Sequence, residues 1–492
     1  MQFHFIDTTA VSVKHRRSKT NTSSLDEAID NATYAVIFAV NTPAVEHSGL
    51  SHLAEHMCFR GSLPYPADHE LFVANSLLPL SINATTHANA TFFYVTTDNE
   101  ALLSTAVDYL YHGLRCHYYT YSQFETERSG VIFNELQLLE RCQRYSKQAA
   151  IRIGDTGEQA YRHAGGFTHT INTITFEALI AYKQKWYTDS NIDVFIASPE
   201  RATFKHCQTI ILQHCQSDKY INTPIYPFEK RHHPPLTEST PVFTWWIPAC
   251  YIADLQCCLL ALNDVVHDNA EIIIDDEINH LGQFALRLIP HDPIHCSLDA
   301  LKQTVVDHLL SVERTIQAKA LKFVDSKLPS VVQDAICQYT NRKDQKLGHP
   351  SPLKTYLLEP HISTCARFES ANAIYFKPHI YCHPSVFAKK HADLLSVSHF
   401  PPLPRLLRPI ADMSNSVDKF VANDGHWVYE ITHVCTNTLI KLLRSAAFWQ
   451  PRTQGECYAM GVGTHNSKRY VYGAQDVSSY AREIWLDRLF KT

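Results

Sequence analysis

The five residues His52-Leu53-Ala54-Glu55-His56 constrain this chain more than any other stretch. Two histidines four apart act together only on consecutive turns of a helix, where both imidazoles leave the same face. In that geometry they grip one zinc ion between them. Glu55 falls three residues after the first histidine and one before the second, so its carboxylate lies beside the metal, where it can take a proton from activated water. The order is the reverse of the commoner His-Glu-x-x-His zinc motif. With 29 histidines in 492 residues the spacing alone can arise by chance, so the flanks decide. Ser48-Gly49-Leu50-Ser51 leads in and Met57-Cys58-Phe59-Arg60-Gly61-Ser62 leads out. That reads as an apolar helix, with Gly61 suited to the left-handed cap that ends it.

Zinc asks for a third protein ligand and leaves a fourth position for water. The spacing of Phe124, Val131, Leu138 and Leu139 predicts a long helix from Phe124 to Arg144. Glu135 lies on it, in Gly130-Val-Ile-Phe-Asn134-Glu135. An interior glutamate is usually solvated, and the upstream motif makes this one the candidate third ligand.

Several separated blocks together resemble the pitrilysin/insulysin family of zinc peptidases, the inverzincins, with local similarity to its presequence-peptidase branch. Gly49 through Ser62 resembles the family's zinc helix. Asn83-Ala84-Thr85-Thr86, followed by Thr91 and Phe93, is similar to its active-site strand, and Gly130 through Glu135 to its third-ligand helix. Phe176-Glu-Ala-Leu179 through Asn191, then Val194-Phe-Ile-Ala, resembles the helix and closing strand of its first domain. The resemblance covers residues 1–216. It implies that His52, His56 and Glu135 bind Zn2+, that Glu55 is the general base, and that Asn83 and Ala84 contact substrate backbone. Peptides would then add a strand to a sheet edge. Many relatives carry a second acidic residue seven positions before the ligand glutamate; here that position is Arg128, and Glu127 is its nearest acidic neighbour. Pro451-Arg452-Thr-Gln-Gly455-Glu-Cys-Tyr458 resembles the family's C-terminal Arg…Tyr segment, which implies that Arg452 and Tyr458 hold substrate and stabilise the oxyanion.

The implied fold is α+β, built from repeated α/β sandwich-like domains of the pitrilysin/insulysin type, with an abbreviated C-terminal half. Residues 1–216 read as the zinc-binding peptidase domain. A proline-rich linker at 217–240 follows, then a middle α/β region at 241–398 and a C-terminal region at 399–492 with the Arg/Tyr segment. Expected helices include Leu298 to Lys322 and Thr436 to Phe448. The half-family length implies a homodimer or a paired family subunit, by analogy alone.

A formal net charge of −5 gives no electrostatic footprint for nucleic acid. No apolar run approaching the ~18 residues of a membrane span is expected. The start of the chain lacks a basic segment followed by an apolar core, and His15-Arg16-Arg17 with Lys19 reads as a solvated cluster. Fourteen scattered cysteines suit reduced thiols in a cytoplasmic compartment. His206-Cys207 and His214-Cys215 repeat at eight residues and read as two turns of one buried helix face. The expected activity is zinc-dependent endoproteolysis of short or unfolded peptides in an enclosed chamber. A dedicated maturation peptidase and a non-catalytic scaffold subunit are the alternatives.

Overall fold

The computed structural model describes residues 1–9, 32–116, 119–155, 159–160, 162–217, 240–292, 297–313, 315–319, 328–344, 351–358, 360–365, 383–397, 400–413, 419–422 and 424–491. The basic cluster at 15–19 and positions 218–239 of the proline-rich stretch lie outside them.

Alternating apolar strands make the first sheet: β1 (Gln2–Asp7), β2 (Tyr34–Val40), β3 (Leu80–Thr86), β4 (Thr91–Thr97) and β5 (Ile192–Ser198). Their order is β1-β5-β2-β4-β3, with β1 parallel to β5 and the other pairs antiparallel. β2 is apolar on both faces because both faces are covered. Val36, Phe38 and Val40 pack among helices α1 (Leu50–Met57), α2 (Glu70–Leu77), α3 (Leu103–Arg115), α4 (Tyr121–Thr126), α5 (Ile132–Glu140), α6 (Gln143–Gly154), α7 (Phe176–Trp186) and α8 (Arg201–Ser217), most of which contribute to that core. The helix expected from Phe124 to Arg144 is interrupted twice. A π-helical turn at Glu127–Val131 separates α4 from α5, and Arg141–Cys142 separates α5 from α6. Gly61 does adopt left-handed backbone (φ 96°), but it lies beyond a further turn, and α1 already ends at Met57.

The second sheet is antiparallel, in the order β7 (Ala270–Asp275), β8 (Gln283–Pro290), β6 (Thr240–Pro248), β9 (His361–Cys365). Helices α9 (Ile252–Val266) and α10 (Leu298–Val312) cover it; α10 stops ten residues short of the expected Lys322. One stretch, Ala249–Val266, is in fact long and apolar enough to cross a membrane, against the expectation of none. Its Ile252, Leu255, Leu262 and Val266 pack on this sheet. α11 (Ser330–Asp344) lies over the first sheet, where Val331, Val332, Ala335, Ile336 and Tyr339 meet Ala35, Ile37 and Ala39. That helix had no expectation attached to it, yet it explains the second apolar face of β2. A fully buried guanidinium joins the first two units. Arg287 on β8 grips Asp155, just past α6, in a fork at 3.0 and 2.7 Å. Arg152 on α6 reaches Asp275 on β7 at 2.9 and 2.6 Å.

The third sheet runs β10 (Lys419–Val421), β11 (Trp427–Glu430), β13 (Lys468–Asp476), β12 (Cys457–His465), all antiparallel. The helix expected from Thr436 to Phe448 is two: α12 (Thr436–Arg444) and α13 (Ala446–Thr453), divided at Ser445, whose hydroxyl caps the second. With α14 (Arg482–Lys491) they pack on the sheet. Val73 and Leu77 of α2 enter this core, and Phe72 stacks on Trp449 with ring centroids 5.2 Å apart. The C-terminal unit is thereby docked beside the His-x-x-Glu-His helix. The three sheets with their covering helices make an α+β chain.

Candidate metal centre and active site

α1 starts at Gly49, in left-handed backbone (φ 86°). It lies so close to Gly165 and Gly166 that a Cβ at Gly49 would stand 2.8 Å from the Gly165 oxygen. This approach places a backbone carbonyl against the first histidine, so that His52 Nδ1 donates to Gly165 O at 3.2 Å. Four residues on, His56 Nδ1 donates to Glu127 Oε2 at 3.1 Å. Each ring is oriented through Nδ1, which leaves Nε2 available to coordinate a metal, as in histidines that hold metals. The rings meet edge to face, centroids 4.8 Å apart.

Glu135 completes the trio from α5. Its Oε2 lies 3.7 Å from His52 Nε2 and 3.4 Å from His56 Nε2. Ligand bonds of about 2.0–2.2 Å at tetrahedral angles give edges of about 3.3–3.6 Å, so the two nitrogen–oxygen separations are close to those of a tetrahedral zinc site. Electrostatics agree. Burial alone would lower the His56 pKa, but Glu127 and Glu135 outweigh it and hold it at about 10. Burial would raise Glu135, yet His52 and His56 bring it down to about 2. Two imidazoles and a half-buried carboxylate thus converge in a group that could hold a cation.

Glu127 sits eight residues before Glu135, not seven. The π turn that begins at Glu127 absorbs the extra residue. Glu127 therefore takes up the position beside His56, whereas Arg128 points elsewhere, donating to the Asn172 and Ile174 carbonyls at 3.1 and 2.7 Å. The departure in sequence is thus repaired in space. Arg60 contacts the other Glu127 oxygen, and Arg452 Nη1 stands 3.8 Å from it. Burial would raise Glu127; Arg60, His56 and Arg452 instead hold it well below the usual carboxylate range.

Glu55 projects beside the trio, and its Oε2 accepts a hydrogen bond from Thr86 at the end of β3. Asn83 and Ala84 lie on the same strand, which forms one edge of the first sheet and pairs with β4 alone among the described strands. Arg452, at the end of α13, carries its guanidinium 5.2 Å over the Phe72 ring. Tyr458, in β12, hydrogen-bonds toward Glu135, and burial raises its hydroxyl pKa. His52, Glu55, Asn83, Glu135, Arg452 and Tyr458 all line one cavity of about 540 Å³. A second recess of about 280 Å³, bounded by Tyr145, Arg152 and His163, opens from the other side of His52 and Glu55.

The residues singled out in the sequence are thus brought together. Sequence reasoning missed Thr86 as the partner of Glu55, Gly165 as the partner of His52, and Arg60. Thr86 and Arg60 stood inside quoted blocks. Gly165 carried no signal, because a backbone carbonyl acts regardless of residue type. A glycine pair seats the C-terminal segment: a Cβ on Gly130, in the π turn, would come within 2.9 Å of Gly455 Cα. Asn134 Nδ2 donates to Gly455 O at 3.3 Å.

Residues 43–165 match the family model described as insulinase, peptidase family M16. The mitochondrial presequence protease of Candida albicans is 27% identical over 209 residues, covering 38% of this chain and 20% of that protein. Protease 3 of Salmonella typhi is 27% identical over 177 residues, 35% of this chain and 18% of that one. The match thus spans about a fifth of the length of these relatives. Among solved structures, a protease from Helicobacter pylori superposes with a TM-score of 0.46 at 14% identity, covering 67% of this chain and 91% of that one. Residues 43–165 of this chain are thus similar to the insulinase family, peptidase family M16.

Proposed function

We propose that this protein is a zinc-dependent endopeptidase acting on short or unfolded peptides. The observation that carries the reading is the convergence of His52, His56 and Glu135, with Glu55 poised beside them and, alongside, β3, which among the described strands pairs with β4 alone. Zinc, when bound, acidifies water and polarises the scissile carbonyl. Glu55 takes the proton of the attacking water and delivers it to the leaving amine, as a general base and then a general acid. The Thr86 hydroxyl holds one Glu55 oxygen and so aims the other. A peptide extending β3 is registered by main-chain hydrogen bonds, which leaves sequence preference loose. Tyr458 supplies a donor to the developing oxyanion, and Arg452 a buried positive charge behind it.

Arg452 and Tyr458 come from the same chain as the metal trio, so the reacting groups need no second subunit. A homodimer or paired subunit would add chamber wall. The free thiols among the described cysteines fit a reducing, cytoplasmic setting.

The test is metal analysis combined with Glu55→Gln. Wild type should carry zinc and cleave a mixed peptide library in a chelator-sensitive way. The variant should bind zinc at His52, His56 and Glu135 as wild type does, and lose at least about 100-fold in turnover. Near-wild-type turnover by E55Q removes Glu55 from the mechanism. Cleavage of a single peptide by wild type points to a dedicated maturation enzyme, and none at all to a scaffold.

A further inference from the structure

A second cluster of metal-ligating side chains lies away from the cavity just described. Asp108 and His112 stand four apart on α3, the spacing that also brings His52 and His56 together. α8 packs alongside α3 and delivers His214 to the same point. Both imidazoles aim Nε2 at one oxygen: Asp108 Oδ1 is 3.3 Å from His112 Nε2 and 2.9 Å from His214 Nε2. The three ligand atoms all lie within 4.8 Å of one another. His214 was expected on a buried helix face with Cys215; its ring instead stacks on Tyr111, centroids 5.3 Å apart, and turns toward Asp108.

We propose that Asp108, His112 and His214 form a second metal site, taking a borderline divalent transition ion such as zinc and cross-linking α3 to α8. The donor set, two imidazole nitrogens and one carboxylate oxygen, suits zinc, copper or nickel rather than calcium or magnesium. The two nitrogen–oxygen separations, 3.3 and 2.9 Å, are close to the edge of a compact coordination shell, about 3.3 Å for a tetrahedron. The other carboxylate oxygen is already engaged. Tyr65, fully buried, donates to Asp108 Oδ2, which fixes the carboxylate plane and leaves Oδ1 facing the two rings. Lys390 Nζ stands 3.9 Å from that same Oδ2. The three side chains are each 20–22% exposed, open enough for an ion to enter and for water to complete its shell. The activity proposed above calls on none of these residues.

The test is zinc titration of the chelator-stripped full chain, with metal counted after dialysis and cobalt(II) absorbance as an independent readout. Wild type should bind two equivalents. His112→Ala and His214→Ala should each bind one, with peptide cleavage retained. His214→Gln keeps a donor to Asp108 and guards against misfolding; it should also bind one. His52→Ala should retain one equivalent, held by this site, and His52→Ala/His214→Ala none. The last two variants separate failure here from failure of the catalytic centre. Unchanged stoichiometry in all His112 and His214 variants overturns the proposal, as does a His52→Ala protein that binds no metal.

Discussion

Replacing Glu127 by glutamine tests the most specific claim about the candidate centre. The carboxylate does two things at once. It accepts from His56 Nδ1 at 3.1 Å, and it is the counter-charge for Arg60 and Arg452. Glutamine keeps the shape and an accepting oxygen, so His56 remains roughly placed, but the negative charge that makes its ring a better ligand is gone. Losing such a partner typically costs 10–100-fold in metal affinity, or about 1.4–2.7 kcal/mol. A second cost falls on the metal-free fold. The side chain of Arg60 is only 3% exposed and that of Arg452 13%, and breaking a buried pair typically costs about 3–5 kcal/mol. Competition against a chromophoric chelator measures the first effect, and urea unfolding of stripped protein the second. Arg128→Gln is the control. Arg128 occupies the position seven before Glu135 but donates to carbonyls of another segment, so its zinc affinity should stay within about twofold of wild type. If E127Q binds zinc as tightly as wild type, or if R128Q is the one that weakens, the assignment of Glu127 through the π turn is wrong.

Gly130→Ala would place a Cβ 2.9 Å from Gly455 Cα, a clash of backbone with backbone that costs about 1–3 kcal/mol. Cleavage should fall because Arg452 and Tyr458 shift away from Glu135, while zinc stoichiometry holds; unchanged kcat/KM would show that this seat does not position them. His163 is buried against Tyr145, with burial, Arg152 and His47 holding its pKa well below 6.5. Below about pH 6.5 the unfolded chain takes up a proton that the folded chain refuses. Stability is therefore present above that pH and lost as pH falls, by up to about 1.4 kcal/mol per unit. Urea unfolding between pH 7 and 5 should show a shallower decline in His163→Gln; parallel slopes would sink the assignment. Arg287→Met leaves Asp155 buried without its guanidinium and should destabilise the chain by about 3–5 kcal/mol, with a thermal transition that no longer couples the first two units. A loss under about 1 kcal/mol, read from urea unfolding, would remove that clamp from the account.

Legibility in the sequence followed the distance over which the physics acts. The pair His52/His56 could be read because helix geometry alone sets the reach of residues four apart. β2 could be read because an apolar run of seven residues demands burial on both sides, although what covered its outer face, α11, could not be named. The long helix through Glu135 was recognisable by its period, and its π turn was not. One extra residue in a hydrogen-bond ladder leaves no mark in composition, and here the turn packs against Gly455, 325 positions after Gly130.

The amino-acid order by itself determined which groups could bind a metal and take a proton, since ligand chemistry and helical spacing belong to single segments. Only the folded chain decided which of these groups share a point in space. Glu127 rather than Arg128 faces His56 because a turn slipped by one residue. Arg452 and Tyr458 enter the cavity because the third sheet docks on α2 and the π turn. His214 meets Asp108 because two helices a hundred residues apart lie side by side. Those meetings arise from packing many side chains at once, and no local pattern encodes them.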